Sequence, residues 1–213
     1  DLGHEIETEA YLHATKQDLM GENVFCESLA GEEIGRMNSW GTHPLSKAEH
    51  LLSSPTFMND LPQTFMEPLL FTTACRRGTR ARMSMEYKSH EQDSDGVTTT
   101  CLDRLTGKEV EIRSKYLIGA DGGNSLVAEN EKLPIKGKMG VGGSMNILFR
   151  ADLSKYVAHR PSVLYWIMQP GADVGGIGMG LVRMIRPWNE WLIVWGYDVT
   201  KPAPKVDEAM ATD

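Results

Sequence analysis

The stretch of this sequence best equipped for chemistry is Tyr116-Leu-Ile-Gly-Ala-Asp121-Gly122-Gly-Asn-Ser125-Leu-Val127. Its three large apolar residues, Tyr116 to Ile118, read as a short buried strand, and small residues follow where the chain must turn. Asp121 then stands just beyond the carboxyl end of a strand. That is the edge at which open α/β sheets bind ligands, and a carboxylate there can accept hydrogen bonds from ligand hydroxyls. Gly122 and Gly123 carry no Cβ, so the backbone can bend sharply and approach a ligand closely. Asn124 or Ser125 can cap a helix continuing through Leu126 to Glu129, with free N–H groups at its start. Read by itself, such a strand, Asp-Gly and helix start is more often an ordinary βα turn than a ligand site.

Other chemistries lack their residues. Neither Gly140-Val-Gly142-Gly143 nor Gly176-Ile-Gly178-Met-Gly180 completes G-x-G-x-x-G, because the last positions are Met145 and Leu181, and neither lies between a strand and a helix. The six histidines are scattered, without H-x-x-x-H or C-x-x-C, so no metal site is expected. A serine hydrolase would need G-x-S-x-G, which is missing. Asp93-Ser-Asp95-Gly96 is not a calcium loop, since it lacks a third acid before the glycine and has Arg104 at the closing Glu position. Asp173 and Asp198 read as solvated turn residues rather than a catalytic pair.

The elements that must position the Asp121 turn follow from periodicity. Residues 2–14 read as a helix end, with Ile6, Ala10, Tyr11 and Leu12 at partly helical spacing, and Gly21 punctuates it. Val24-Phe25-Cys26 and Glu33 to Met37 flank Ala30-Gly31 as a hairpin. Residues 38–58, with Pro44, Pro55 and several serines, read as a loop-rich connection. A second helix starts near Leu61 and is stopped by Gly78, with Pro68 costing it a hydrogen bond. Ala81, Met83, Met85 and Tyr87 alternate with Arg82, Ser84, Glu86 and Lys88. Turns at Asp95-Gly96 and Thr106-Gly107 extend this into a three-stranded meander leading to the Asp121 segment. Beyond Pro134 and the glycines at 137, 140, 142 and 143, strand-like runs occupy 145–149, 162–168, 176–184 and 190–195. They predict an antiparallel or mixed sheet, to which Trp166, Trp191 and Trp195 give aromatic faces whose plain reading is core packing.

Composition bounds the rest. A chain of 213 residues with 41% hydrophobic and 24% charged residues makes one large or two small globular domains. A net charge of −7 without a basic run argues against a nucleic-acid partner. No apolar stretch nears the roughly eighteen residues of a membrane span, and no signal peptide is recognisable. Cys26, Cys75 and Cys101 are odd in number and far apart, which fits reduced thiols in a cytoplasmic protein. Asp1, in place of Met, opens the chain inside a helix-like stretch, so the chain reads as a fragment.

With these residues in view, the chain resembles the flavoprotein aromatic hydroxylases, the phenol hydroxylase-like FAD monooxygenases. In that family a strand running into Asp-Gly, with Ser three residues after the Gly, serves both the flavin and the nicotinamide cofactor. Asp121, Gly122 and Ser125 match. The family's closing Arg, three residues past the Ser, is here Ala128, which removes a cation expected near cofactor phosphates and tilts the turn toward FAD rather than NADPH. Gln63 matches a Gln that, in the family, precedes a helix and approaches the flavin's sugar-phosphate chain; its plain reading is a solvated helix-start side chain. Runs at 18–23, 28–33, 158–166, 182–189 and 195–199 carry the resemblance over nearly the whole chain.

The resemblance implies an α/β (α+β) fold in which residues 1–22 and 59–133 belong to an FAD-binding domain. Residues 23–58 and 134–213 would then belong to a mostly antiparallel substrate domain whose sheet roofs the flavin pocket. It implies an FAD-dependent, NADPH-using monooxygenase in which molecular oxygen supplies one atom to the ortho carbon of a chlorinated phenol, 2,4-dichlorophenol becoming 3,5-dichlorocatechol. Tyr165, against a phenolic oxygen, and Arg183, against phenolate, are the candidate catalytic residues. The complete protein is expected to be a homo-oligomer. The family's G-x-G-x-x-G unit and its later Gly-Asp segment find no match here, so this chain alone is expected to be an inactive internal fragment. Two alternatives stay open: a hydroxylase for another phenol, and a flavin-free binding domain of the same fold.

Overall fold

The computed structural model describes residues 3–56, 58–140, 142–169, 180–203 and 205. Asp173, the Pro170-Gly171 turn and the first half of the run expected at 176–184 lie outside the described residues. Chain contacts divide the protein into two units, Asp1–Thr73 with Met139–Asp213, and Ala74–Lys138.

The first unit is built on a six-stranded sheet. Its strands are β1 (Glu22–Cys26), β2 (Glu33–Asn38), β6 (Gly143–Arg150), β7 (Leu164–Ile167), β8 (Gly180–Arg186) and β9 (Glu190–Tyr197), in the order β2-β1-β7-β8-β9-β6. The expected hairpin is β1–β2, and the later runs are the remaining strands. β1 and β7 are parallel while the other neighbours are antiparallel, so the sheet is mixed. Alternation then assigns the faces. Val24, Cys26, Tyr165, Val182, Met184 and Trp191 are buried in one core. Phe25, Trp166, Leu181 and Arg183, at the alternate positions, are half-buried.

Around this sheet lie α1 (His4–His13), α2 (Lys47–Ser53), the start of α3 (Gln63–Arg76) and the short α5 (Ser154–Val157). Helix α2 corrects the expectation of an irregular 38–58 connection. Flanking prolines and serines mask Lys47-Ala-Glu-His-Leu-Leu, residues that mostly lose little entropy on becoming helical. Helix α3 runs through Pro68 as expected, and Thr73 returns a hydroxyl bond to the Leu69 carbonyl at 2.7 Å.

The second unit is the predicted meander of β3 (Met85–Asp93), β4 (Gly96–Asp103) and β5 (Lys108–Ser114), followed by a 3-10 turn at Gly122–Asn124 and α4 (Leu126–Asn130). The first strand starts at Met85 rather than Ala81, because Ser84 sits in the left-handed region at φ 58° and breaks the extended run. At the β3–β4 turn Asp93 accepts the N–H groups of Asp95 and Gly96 and pairs with Arg113. The Arg113 guanidinium is the main cause that brings the Asp93 carboxyl down to about 2, so the turn stays charged until pH falls through that value.

Tyr116 to Ile118 do not form the buried strand expected of them. Tyr116 is 83% and Ile118 85% exposed. Their apolar character suits a strand covered on both faces, but strand geometry also needs neighbouring backbone to satisfy each N–H and C=O. No described strand supplies it.

Candidate functional site

The Asp121 turn is held by its own hydrogen bonds. Ser125 Oγ donates to Asp121 Oδ1 at 2.5 Å and accepts the Ala128 N–H at 3.0 Å, capping α4 as the sequence allowed. The Val127 N–H donates to Asp121 Oδ2 at 3.3 Å. Gly122 adopts φ 78°, a conformation that L side chains rarely take, and a Cβ there would meet open space. Gly119 is needed for the opposite reason, since a Cβ would come within 3.0 Å of the Val127 side chain. The Ser125 hydroxyl, with help from backbone N–H groups, keeps the Asp121 carboxyl below its usual range. The result is an exposed, charged acceptor beside a backbone without side-chain bulk. This donor and acceptor set fits a polyhydroxylated cofactor chain such as that of FAD.

Gln63, Tyr165 and Arg183 belong to the other unit. Gln63 is the first residue of α3, is exposed, and donates from Nε2 to Glu67 Oε1 at 2.5 Å. The entry to α3 is fixed by Asp60, which accepts the Thr15 hydroxyl at 3.2 Å, offers its carbonyl to the Thr15 N–H, and pairs with Arg183. One turn on, the Phe65 ring stacks with the His13 ring at 5.2 Å and carries the Arg186 guanidinium over it at 3.8 Å. These contacts tie α1, α3 and β8 together and so orient Gln63.

Tyr165 and Arg183 are separated by strand alternation. Leu164 is opposite Arg183, and Tyr165 opposite Val182, so Tyr165 and Arg183 project to opposite faces of the sheet. Tyr165 is fully buried. Its hydroxyl donates to the Arg160 carbonyl and accepts the Ser162 N–H, both at 3.0 Å. Burial pushes its pKa up to about 12. Such a phenol stays neutral and is occupied by the backbone at both lone pair and proton. Arg183 is one-third exposed and already matched by the Asp60 carboxylate.

Trp166 lies on the Arg183 face. Its ring stacks on Phe25 with centroids 6.1 Å apart and planes at 10°, and among the described residues its buried indole N–H has no hydrogen-bond partner. From the sequence, Trp166 is an aromatic face of the sheet and the adjacent Tyr165 a candidate catalytic residue. Residues 163–168 are all apolar or aromatic, so alternation in the sequence gave no facing. Asp60 carried no signal at all, because its partner is 123 positions away.

A family model described as FAD binding domain matches residues 3–213. The chain is 56% identical over 211 residues to 2,4-dichlorophenol 6-monooxygenase of Cupriavidus pinatubonensis (strain JMP 134 / LMG 1197), covering 99% of this chain and 35% of that protein. It is 46% identical to phenol 2-monooxygenase of Pseudomonas sp. (strain EST1001), covering 95% of this chain and 32% of that one. The flavin-dependent monooxygenase PieE, solved in complex with FAD and substrate, superposes with a TM-score of 0.85 at 35% identity, over 97% of this chain and 36% of its own. The chain thus spans about a third of the length of the curated relatives it matches.

Proposed function

Because the chain belongs to the FAD binding domain family, we propose that it is part of an FAD-dependent phenol hydroxylase that uses NADPH and molecular oxygen to hydroxylate a chlorinated phenol ortho to its hydroxyl. The observation that carries this reading is the identity, over almost all of the chain, to a dichlorophenol monooxygenase. On this reading 2,4-dichlorophenol becomes 3,5-dichlorocatechol in a cytoplasmic, homo-oligomeric enzyme. Residues 1–22 and 59–133 serve the flavin, and residues 23–58 and 134–213 the substrate. Among the described residues no helix is long and apolar enough to cross a membrane.

FAD, when bound, supplies the redox chemistry. Asp121 accepts hydrogen bonds from its hydroxyls, Gly122 lets backbone approach, Ser125 holds the turn, and Gln63 contacts the sugar-phosphate chain. The apolar face bearing Phe25, Trp166 and Leu181 takes the ring and keeps water from it, since chlorine and carbon surface gain from leaving water. The unpartnered indole N–H of Trp166 supports this placement. A phenolate would share the Arg183 guanidinium with Asp60, whereas Tyr165 supports the sheet from its other side. The likeness to phenol 2-monooxygenase favours a second reading, plain phenol as substrate.

The complete gene product tests this directly. We expect it to purify with flavin, to oxidise NADPH when 2,4-dichlorophenol is added, and to place one atom from isotopically labelled oxygen in a chlorocatechol. A colourless protein that takes up no FAD would sink the proposal, and faster coupled turnover with phenol would move it to the second reading.

Side-chain variants separate the two sheet faces. Trp166→Phe should change the preference between chlorinated and unchlorinated phenols by about 1–3 kcal/mol in kcat/KM. Tyr165→Phe should leave that ratio alone and instead lower stability by about 1–3 kcal/mol, through the stranded Ser162 N–H and Arg160 carbonyl. Steady-state kinetics and urea denaturation of both variants check this. A preference that moves with Tyr165 and not with Trp166 reverses the assignment.

A further inference from the structure

Helix α4 is too short to be stable by itself, and none of its residues is fully buried. Apolar packing therefore does not explain why it sits where it does on the meander. Its carboxyl-terminal end is instead held by a chain of polar contacts. Asn130 Nδ2 donates to the Tyr87 hydroxyl at 2.7 Å. That hydroxyl meets His90 Nδ1 at 2.6 Å, and His90 Nε2 meets Glu131 Oε1 at 2.7 Å. One direction of donation uses every group once: amide to phenol, phenol to Nδ1, and Nε2–H to carboxylate. The His90 side chain, only 6% exposed, thus has both ring nitrogens satisfied from the strand and the helix together.

We infer that Tyr87, His90, Asn130 and Glu131 form a clamp that fixes α4 on β3 and, through α4, sets the position of the Asp121 turn for the flavin. These are positioning residues, and the inference rests on the flavin reading of that turn proposed above. The helix turns about every 3.6 residues, so the clamp and the Ser125 cap are only about one and a half turns apart on one rigid element. The cap bonds Ser125 to Asp121 and to Ala128, which couples any shift of the helix to the carboxylate. Gly119 already approaches Val127 to within contact of a hypothetical Cβ, leaving α4 no room to settle toward the preceding segment. A ligand contact displaced by about 1 Å can lose about a hundredfold in effect. A helix without buried anchors needs such a clamp to avoid that displacement.

The test uses the complete gene product and four variants, Glu131→Ala, Glu131→Gln, Tyr87→Phe and Asp121→Ala. The readouts are the FAD dissociation constant from flavin fluorescence and the visible circular dichroism of the bound flavin, with the urea midpoint measured in parallel. Glu131→Ala should weaken FAD binding about tenfold and alter the flavin dichroism with little change in the urea midpoint. Glu131→Gln should restore both, because its amide oxygen still accepts the His90 Nε2–H. Tyr87→Phe should weaken FAD binding in the same direction, and it decides the matter if Glu131→Ala does not fold. The clamp is overturned if Tyr87→Phe and Glu131→Ala keep wild-type FAD affinity and dichroism while Asp121→Ala loses them. If Asp121→Ala also binds FAD as wild type does, the flavin reading of the turn fails first, and the clamp with it.

Discussion

Replacing Asp121 by Ala in the complete gene product is expected to weaken FAD binding by about ten- to a hundredfold, the range that loss of a charge-assisted hydrogen bond commands in a dissociation constant. Two effects add. The variant deletes an exposed charged acceptor at the turn, and it frees the Ser125 hydroxyl and the Val127 N–H that this carboxylate now organises. Asp121→Asn separates them in part, since its single amide oxygen can keep one of the two local bonds, to Ser125 or to Val127, but not both, and carries no charge. The asparagine variant should therefore lie between wild type and alanine. The pH dependence has a definite sign. The folded-state pKa of Asp121 is depressed, chiefly by Ser125, so the carboxylate's contribution is complete above its unfolded value near about 4 and is lost as pH falls through the folded value. Flavin affinity should accordingly stay level through the neutral range and fall only in strong acid. Wild-type flavin occupancy together with a wild-type rate of reduction by NADPH, in Asp121→Ala, would show that this residue serves the turn alone.

The largest stability effect is expected at Arg160. This side chain is 1% exposed, and its Nη2 donates to the carbonyls of Ser28 at 3.1 Å and Leu29 at 2.7 Å, in the connection between β1 and β2. Its own carbonyl receives the Tyr165 hydroxyl, and among the described residues no carboxylate forms an ion pair with it. A buried cation held by backbone carbonyls pins the hairpin turn onto the segment that leads into β7. Arg160→Ala strands those carbonyls and leaves a cavity, at an expected cost of about 3–5 kcal/mol. Arg160→Met fills most of the space and sheds the desolvated charge, but still leaves the carbonyls unpaired. It should recover part of the loss and not all of it. Urea denaturation of both variants measures the two contributions. An alanine variant within about 1 kcal/mol of wild type would mean that water replaces the guanidinium at these carbonyls.

The sheet shows why some site residues were legible and others were not. Features governed by neighbours along the chain could be read from the residues. The meander follows from alternation, of which Met85 to Lys88 lie in the strand, and from the Asp95-Gly96 and Thr106-Gly107 turns. The cap follows from a Ser placed three residues ahead of the N–H it accepts, and Gly122 takes the positive φ for which an Asp-Gly turn is suited. Even the mixed sheet of the first unit was visible as strand-like runs joined by short turns. The meander turns, the cap and the Gly122 turn depend on residues a few positions apart, so a local pattern carries them, whereas the order and pairing of the sheet strands join residues as distant as Val24 and Tyr165.

Facing, pairing across distance and exposure belong to another order of information. Tyr165 and Trp166 are adjacent, aromatic and equally plausible as a ring wall, yet one hydroxyl is spent inside the core and the other residue shares the face of Arg183. Only the register between β7 and β8 separates them, because a shift of one residue exchanges the faces of a strand. Arg183 is paired by Asp60, which arrives from the entry to α3, far along the chain. His90 and Glu131 are 41 positions apart and meet only where a strand and a short helix bring them together. Tyr116 and Ile118 make the same point in reverse. Their composition specifies a buried strand, but burial is a property of what lies on either side, and composition alone cannot provide neighbours.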